Sequence, residues 1–251
     1  MMLDTLPQPV IFAHRGASAH APENTIAAFE LALTRQADAV ELDVKLSADG
    51  QVVVMHDTTV DRTTNGKGRV RDLSLSQLKA LDAGSHFSDQ FKGERVPTLE
   101  EVFESLGNRT LINVELTNYT TSGDSLVETV CMLIKKHRMQ QHILFSSFLA
   151  SNLSKARSYL PEVPRGLLAL NGLLGVWARS FGFAFGKYDA LHPNLKDMTQ
   201  QEAMRVHRLK RRVHVWTVND REDMRRLYDW GVDGIFTDDP ALAVRTRVDS
   251  K

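Results

Sequence analysis

Glu41 and Asp43 stand two residues apart in Val40-Glu41-Leu42-Asp43-Val44. On an extended strand that spacing turns both carboxylates to one face and Leu42 and Val44 to the other. Unpaired buried charge is costly, so something positive has to stand between the two acids. One reading is a salt bridge to Lys45 or Arg15. The other is a divalent cation with Glu115 as third ligand. An all-oxygen ligand set suits a hard ion, Mg²⁺ or Ca²⁺, rather than zinc.

Ala13-His14-Arg15-Gly16 adds a second kind of chemistry. Arginine offers a planar fork to phosphate oxygens, and histidine moves protons near neutral pH. His56, followed by Asp57, is the second histidine. Neither histidine means much alone. Together with Glu41, Asp43 and Glu115 they make an acid/base pair beside a cation site, the equipment for displacement at a phosphate ester.

For these groups to meet, each must lie at a strand end, and the hydrophobic pattern supplies the strands. Pro9–Ala13, Ala39–Lys45, Leu111–Leu116, Ile143–Ser147, Gly166–Leu170, Ala190–Pro193, Val213–Val218 and Gly234–Thr237 read as eight strands. Helical spacings separate them: Ile26, Phe29 and Leu33 after Asn24 as expected N-cap, and Leu99, Val102, Phe103 and Leu106 behind a Thr98/Glu101 capping box. Leu126, Val130, Leu133 and Ile134 mark another helix, as do Met224, Leu227 and Tyr228 before Gly231.

A ninth strand, Gln51–His56, follows the second after only Leu46–Gly50. A parallel crossover needs about a dozen residues, so this strand is expected in a hairpin outside the parallel set. Eight βα units in 251 residues point to a (β/α)8 TIM barrel, with an insertion at about 46–97 after the second barrel strand. The whole chain, 1–251, then forms one catalytic domain. A doubly wound open sheet is the runner-up, weakened by the lack of GxGxxG or a P-loop. In a barrel, chemistry sits at the C-terminal strand ends, where His14, Glu41, Asp43, Lys45, Glu115, His192, Trp216, Asn219 and Asp238 all fall.

Composition narrows the function classes. The 31 basic and 31 acidic residues cancel, which argues against a protein that grips nucleic acid by its phosphates. The single cysteine, Cys131, excludes an internal disulfide and a multi-cysteine zinc site, and is expected on a helix core face. Met1–Pro9 has no lysine or arginine, unlike a secretory leader. The apolar stretch Leu167–Phe185 is broken by Asn171, Arg179 and glycines, a poor membrane span. A soluble, cytoplasmic protein is expected.

The sequence resembles the glycerophosphodiester phosphodiesterase family. The resemblance rests on Ala13-His14-Arg15-Gly16, Ala21-Pro22-Glu23-Asn24-Thr25, Val40-Glu41-Leu42-Asp43-Val44, His56-Asp57 and Asp61-Arg62-Thr63-Thr64-Asn65-Gly66-Lys67-Gly68. Asn113-Val114-Glu115, Trp216-Thr217-Val218-Asn219 and Gly234-Ile235-Phe236-Thr237-Asp238 extend it. It implies a barrel with an insertion after the second strand and one divalent cation, Mg²⁺ or Ca²⁺, held by Glu41, Asp43 and Glu115. His14 and His56 would be the catalytic pair, with Arg15 on the phosphate. The implied reaction cleaves a small-molecule glycerophosphodiester to glycerol 3-phosphate and an alcohol. By analogy His14 is the base and His56 the acid, acting through a cyclic phosphate.

The family often carries lysine two residues after the third carboxylate, where this chain has Thr117. Lys45 is expected to supply that charge from the face of Asp43. Trp216 is weighed between barrel-wall filler and contact with the glycerol or head group. Asn219 is expected as a helix cap, Glu23 as orienting Arg15, and His192 as structural.

The segment Asn171–Tyr188 holds Leu173, Leu174, Val176, Trp177, Phe181, Phe183 and Phe185. It is expected mainly as a buried connector. The alternative is an apolar rim for transient contact with a membrane or a lysolipid chain. Two rival functions follow: a lysophospholipase-D-like hydrolase, or a non-catalytic phosphodiester-binding protein on the same fold.

Overall fold

The computed structural model of the chain describes residues 2–249. Strands and helices alternate along it: β1 (Val10–Ala13), α1 (Ile26–Thr34), β2 (Ala39–Leu46), β3 (Val52–Val54), α2 (Leu75–Ala80), α3 (Leu99–Leu106), β4 (Leu111–Leu116) and α4 (Leu126–Lys136). They continue as β5 (Ile143–Ser147), α5 (Ala150–Tyr159), β6 (Arg165–Ala169), α6 (Val176–Arg179), α7 (Phe181–Phe185) and β7 (Ala190–Pro193). The last are α8 (Gln200–Arg208), β8 (Arg212–Val215), α9 (Arg221–Asp229), β9 (Gly234–Thr237) and α10 (Pro240–Asp249). Every strand but β3 pairs in parallel with its neighbours, and β1 pairs with both β2 and β9, so the sheet closes into a (β/α)8 barrel.

The hairpin strand takes a place that matters for the site. The lower half of β2 pairs with β1 at Ala39 and Val40. Its upper half, Val44 to Leu46, runs past the end of β1 and pairs antiparallel with β3. β4 holds the other edge of β2 throughout. β3 therefore occupies the edge that β1 vacates and carries His56 above the exit of β1. The excursion from β3 to α3 packs a small cluster of its own, centred on Val53, Met55, Val60, Val70, Leu78 and Val96.

Strand periodicity divides the core in two. Side chains such as Leu42, Val44, Ile112, Val114 and Phe145 turn outward to pack under the helices. The alternate positions turn into the barrel, where Val10, Phe12, Ala39, Leu111, Leu144 and Phe236 make an apolar floor. One pleat further up the same strands stand His14, Glu41, Asn113, Ser146 and Asp238. The barrel thus passes from apolar to ionisable within two residues of each strand. His192 and His214 are fully buried, their rings 5.0 Å apart, and burial pushes His192 down to about 3, keeping it neutral. Gly166 makes room for this pair, since a Cβ there would lie 2.1 Å from the His192 ring.

Some local expectations change. Thr25, not Asn24, caps α1, its hydroxyl accepting from the Ala28 amide. Asn24 has φ of +57°, a left-handed conformation asparagine tolerates, and its side chain goes elsewhere. Asp220, not Asn219, caps α9. The capping box of Thr98 and Glu101 forms as read, and Cys131 is buried on α4. The segment from Asn171 to Tyr188 is not a buried connector. It is a 3-10 turn at Gly172–Gly175 followed by two short helices, α6 and α7, with most large apolar side chains exposed. No helix among the described residues is long and apolar enough to cross a membrane.

Candidate active site

The register of β2 against β4 sets Glu41 beside Asn113 and Asp43 beside Glu115. As a result Glu41, Asp43 and Glu115 each offer a carboxylate oxygen, all within 4.8 Å of one another. Such crowding opposes ionisation. Burial, with the charges of Asp43 and Glu115, raises Glu41 well above the usual carboxylate range. Burial and Asp43 push Glu115 to about 8, against the lowering effect of a 2.7 Å hydrogen bond from Tyr119 and of Arg15 and Lys45.

Two neighbours fix the acids without neutralising them. The Arg15 amide donates to Glu41 Oε2 at 2.9 Å, and Asn24 Nδ2 donates to Asp43 Oδ2 at 2.9 Å. Arg15 Nε lies 3.4 Å from Asp43 Oδ2, so part of the salt-bridge alternative is present. Yet Glu41 Oε1 and Asn113 Oδ1 are buried with no hydrogen-bond partner among the described residues. Acceptor oxygens left bare beside crowded carboxylates fit a hard cation, which such oxygens ligate, better than a completed salt bridge.

Around the acids stand two histidine–aspartate pairs of matching form. His14 Nδ1 is 2.7 Å from Asp238 Oδ1, and His56 Nδ1 is 2.7 Å from Asp57 Oδ1. A carboxylate at Nδ1 makes that nitrogen the donor and leaves Nε2 of each ring free to exchange a proton with whatever occupies the site. Asp238 is steadied in turn by Ser18 at 3.1 Å and Asn219 at 2.6 Å. Asp57 is held below its usual range chiefly by Arg62, whose Nε donates to it at 2.7 Å. Arg62 also reaches Glu23 at 2.6 and 2.8 Å, and Glu23 accepts from Arg15 Nη1 at 2.9 Å. Burial would raise Glu23, but the two arginines outweigh it and hold it at about 2. A continuous chain, Arg15–Glu23–Arg62–Asp57–His56, thus ties the insertion to the first barrel strand.

His14, Arg15, Glu41, His56, Asn113, Glu115 and Trp216 line one cavity, closed on its apolar side by Phe148, Leu168 and Phe236. Lys45 lies behind the carboxylates, and a larger cavity of about 540 Å³ opens on its far side between the insertion and the loop after β4. Trp216 donates Nε1 to the His192 carbonyl at 2.8 Å and meets Phe148 edge-on with centroids 5.6 Å apart. It is both wall and lining. Glu23 does orient Arg15. The sequence reading missed Asn24 on Asp43, Tyr119 on Glu115, Arg62 as a clamp, and Asn113. Asn24, Arg62 and Asn113 lie in the stretches that carry the resemblance, Asn113 also at the inward position two residues before Glu115, whereas Tyr119 had no such signal.

Residues 14–242 match the sequence profile of the Glycerophosphoryl diester phosphodiesterase family. A glycerophosphodiester phosphodiesterase of Caldanaerobacter subterraneus subsp. tengcongensis is 40% identical over 236 residues, covering 94% of this chain and 96% of the relative. A glycerophosphodiester phosphodiesterase of Bacillus subtilis is 34% identical over 244 residues, covering 92% and 83%. Among solved structures, an Oleispira antarctica phosphodiesterase in complex with the product sn-glycerol-3-phosphate superposes with a TM-score of 0.90 at 31% identity, covering 99% of each chain.

Proposed function

The chain belongs to the glycerophosphoryl diester phosphodiesterase family, and we propose that it hydrolyses glycerophosphodiesters to sn-glycerol 3-phosphate and an alcohol with the help of one divalent cation. The observation that carries this reading is the trio Glu41, Asp43 and Glu115, within 4.8 Å of one another and flanked by the pairs His14–Asp238 and His56–Asp57. The same feature speaks against a non-catalytic binding protein, which has no use for two oriented proton carriers.

Glu41, Asp43 and Glu115 would hold the cation, Mg²⁺ or Ca²⁺ by the hardness of their oxygens. When bound, it supplies positive charge to the phosphoryl oxygens. The protein's own groups do the rest. Arg15, positioned by Glu23 and Asp43, presents its fork to the phosphate. Lys45 adds a second positive charge behind the acids, and Trp216 offers a flat apolar surface to the glycerol carbons. His14 Nε2 takes the proton of the glycerol 2-hydroxyl, whose oxygen then attacks phosphorus within the same molecule. Such internal attack gains from proximity. His56 Nε2 gives a proton to the departing alcohol. The resulting cyclic phosphate is opened by water with the two histidines in exchanged roles, breaking the bond to the 2-oxygen and leaving glycerol 3-phosphate. His56 suits the acid role because it stands nearer the mouth, with 42% of its side chain exposed against 21% for His14.

The test is release of sn-glycerol 3-phosphate from glycerophosphocholine, before and after chelation and with Mg²⁺, Ca²⁺ or Mn²⁺ restored. Loss on chelation and recovery with one of these ions is expected. Full activity in chelator would sink the cation, and no activity with any ion would sink the substrate.

A further inference from the structure

The loop after β6 breaks the rule that a barrel helix hides its apolar face. Leu173 is 91% exposed, Leu174 83%, Phe181 72%, Phe185 83% and Trp177 57%. Soluble surfaces seldom gather so many large apolar groups. The short helices have reasons to keep this shape. Gly182 seats the Trp177 ring, since a Cβ there would lie 2.7 Å from it. Arg179 fastens the base of the loop through the Leu170 and Gly172 carbonyls and Asp197. The apolar tips are therefore held outward by a built scaffold.

We propose that this ridge docks the protein onto a lipid surface, with the barrel mouth turned to it. Three observations choose that occupant. The first is continuity. Leu168 lines the catalytic cavity beside Phe148 and Trp216, and two residues on Leu170 emerges at the rim, leading to Leu173 and Leu174. The ridge thus grows from the end of the strand whose Leu168 lines the catalytic cavity. The second is charge. From Leu170 to Tyr188 there is no acidic residue and Lys187 is basic, while Asp197 at the loop base is paired with Arg179, so the ridge itself carries no negative charge to repel lipid phosphates. The third is shape. Side chains more than four-fifths exposed stand proud of their neighbours. A second copy docking by two-fold symmetry needs a self-complementary patch, whereas a soft interface accepts protruding leucine and aromatic side chains.

The docking stands on the surface alone; only its use, bringing lipid-borne glycerophosphodiesters to the mouth, rests on the proposed reaction. Phosphatidylcholine vesicles are a suitable probe, because their 2-position is esterified and offers no hydroxyl for the internal attack. The wild-type protein should sediment with such vesicles. The variant Leu173→Ser/Leu174→Ser/Phe181→Ser should lose at least tenfold in partitioning and keep glycerophosphocholine turnover within about twofold. A protein that stays in the supernatant overturns the proposal. So does a dimer by light scattering that the same variant dissociates while vesicle binding is unaffected. Vesicle binding without glycerophosphocholine turnover would overturn the reaction and leave the docking in place.

Discussion

Lys45 Nζ donates to Thr117 Oγ1 at 2.8 Å and to the Thr117 carbonyl at 3.1 Å. Lys45 lies on β2 and Thr117 directly follows β4, at the position where the family resemblance implies a lysine. The Thr117 hydroxyl in turn donates to the Val44 carbonyl at 2.8 Å, so it can hold the ammonium without needing a charge of its own. Burial lowers the Lys45 pKa, while the charges of Asp43, Glu115 and Asp57 oppose that shift.

Lys45→Gln should accordingly lower kcat/KM for glycerophosphocholine by about 10- to 100-fold, the worth of one charge-assisted hydrogen bond of ~1.5–3 kcal/mol. Adding Thr117→Lys to that variant should recover at least part of the loss, because the new lysine starts from the neighbouring strand. Steady-state kinetics on the single and double variants decide it. A double variant no better than the single one would mean that Lys45 matters only for packing.

Much of this arrangement was legible because strand periodicity is simple. Alternation along β2 and β4 places Glu41, Asp43 and Glu115 on the inner face whatever the rest of the fold does, and eight βα units leave few architectures. The supporting contacts were hidden because they join distant residues through geometry that no local pattern encodes. Asp238 reaches His14 across 224 positions, and Asn24 serves Asp43 through a left-handed turn. The segment after β6 was misread for another reason. An apolar connector and an apolar rim have the same composition, and only the neighbours that do or do not cover them tell the two apart.

The two histidines should separate by leaving group. His14→Ala and His56→Ala should each cost about 10²- to 10⁴-fold in kcat on glycerophosphocholine. A glycerophosphate ester of p-nitrophenol leaves without needing a proton, so it should rescue the variant that lacks the acid and not the one that lacks the base. Rescue of His56→Ala alone is expected, and rescue of His14→Ala alone would exchange the assignments. Asp238→Asn should also lower kcat on both substrates, since it disturbs the tautomer that leaves His14 Nε2 free.

The clamp of Glu23 predicts a feature of acid unfolding. Its carboxyl, held at about 2 in the folded protein, has an ordinary value of 4.5. A group lowered on folding contributes stability that is complete above its unfolded value and lost as pH falls towards its folded one. Between pH 4.5 and 2 the wild-type protein should therefore lose ~1–3 kcal/mol through this residue. Glu23→Gln should flatten the stability curve in that window, measured by urea unfolding at stepped pH. An unchanged curve would mean that the arginines relax and stay solvated when the carboxylate goes.

Glu115 should show the opposite sign. In metal-free protein its carboxyl is raised to about 8 from an ordinary 4.5, so the folded state binds more protons than the unfolded one between these values. Stability contributed by the protonated form is then lost as pH rises through that interval. Glu115→Gln keeps the shape and removes the charge. It should stabilise the metal-free protein by ~1–3 kcal/mol at pH 8, with little effect near pH 4. The same variant should lose the increase in Tm that Mg²⁺ or Ca²⁺ gives the wild type, because one of three ligand oxygens is now a weaker amide donor. Thermal unfolding with and without ion at pH 5 and 8 measures both effects at once. A variant less stable than wild type at pH 8 without metal would show that the three acids are not in conflict, and that the crowding at this barrel mouth needs no cation to relieve it.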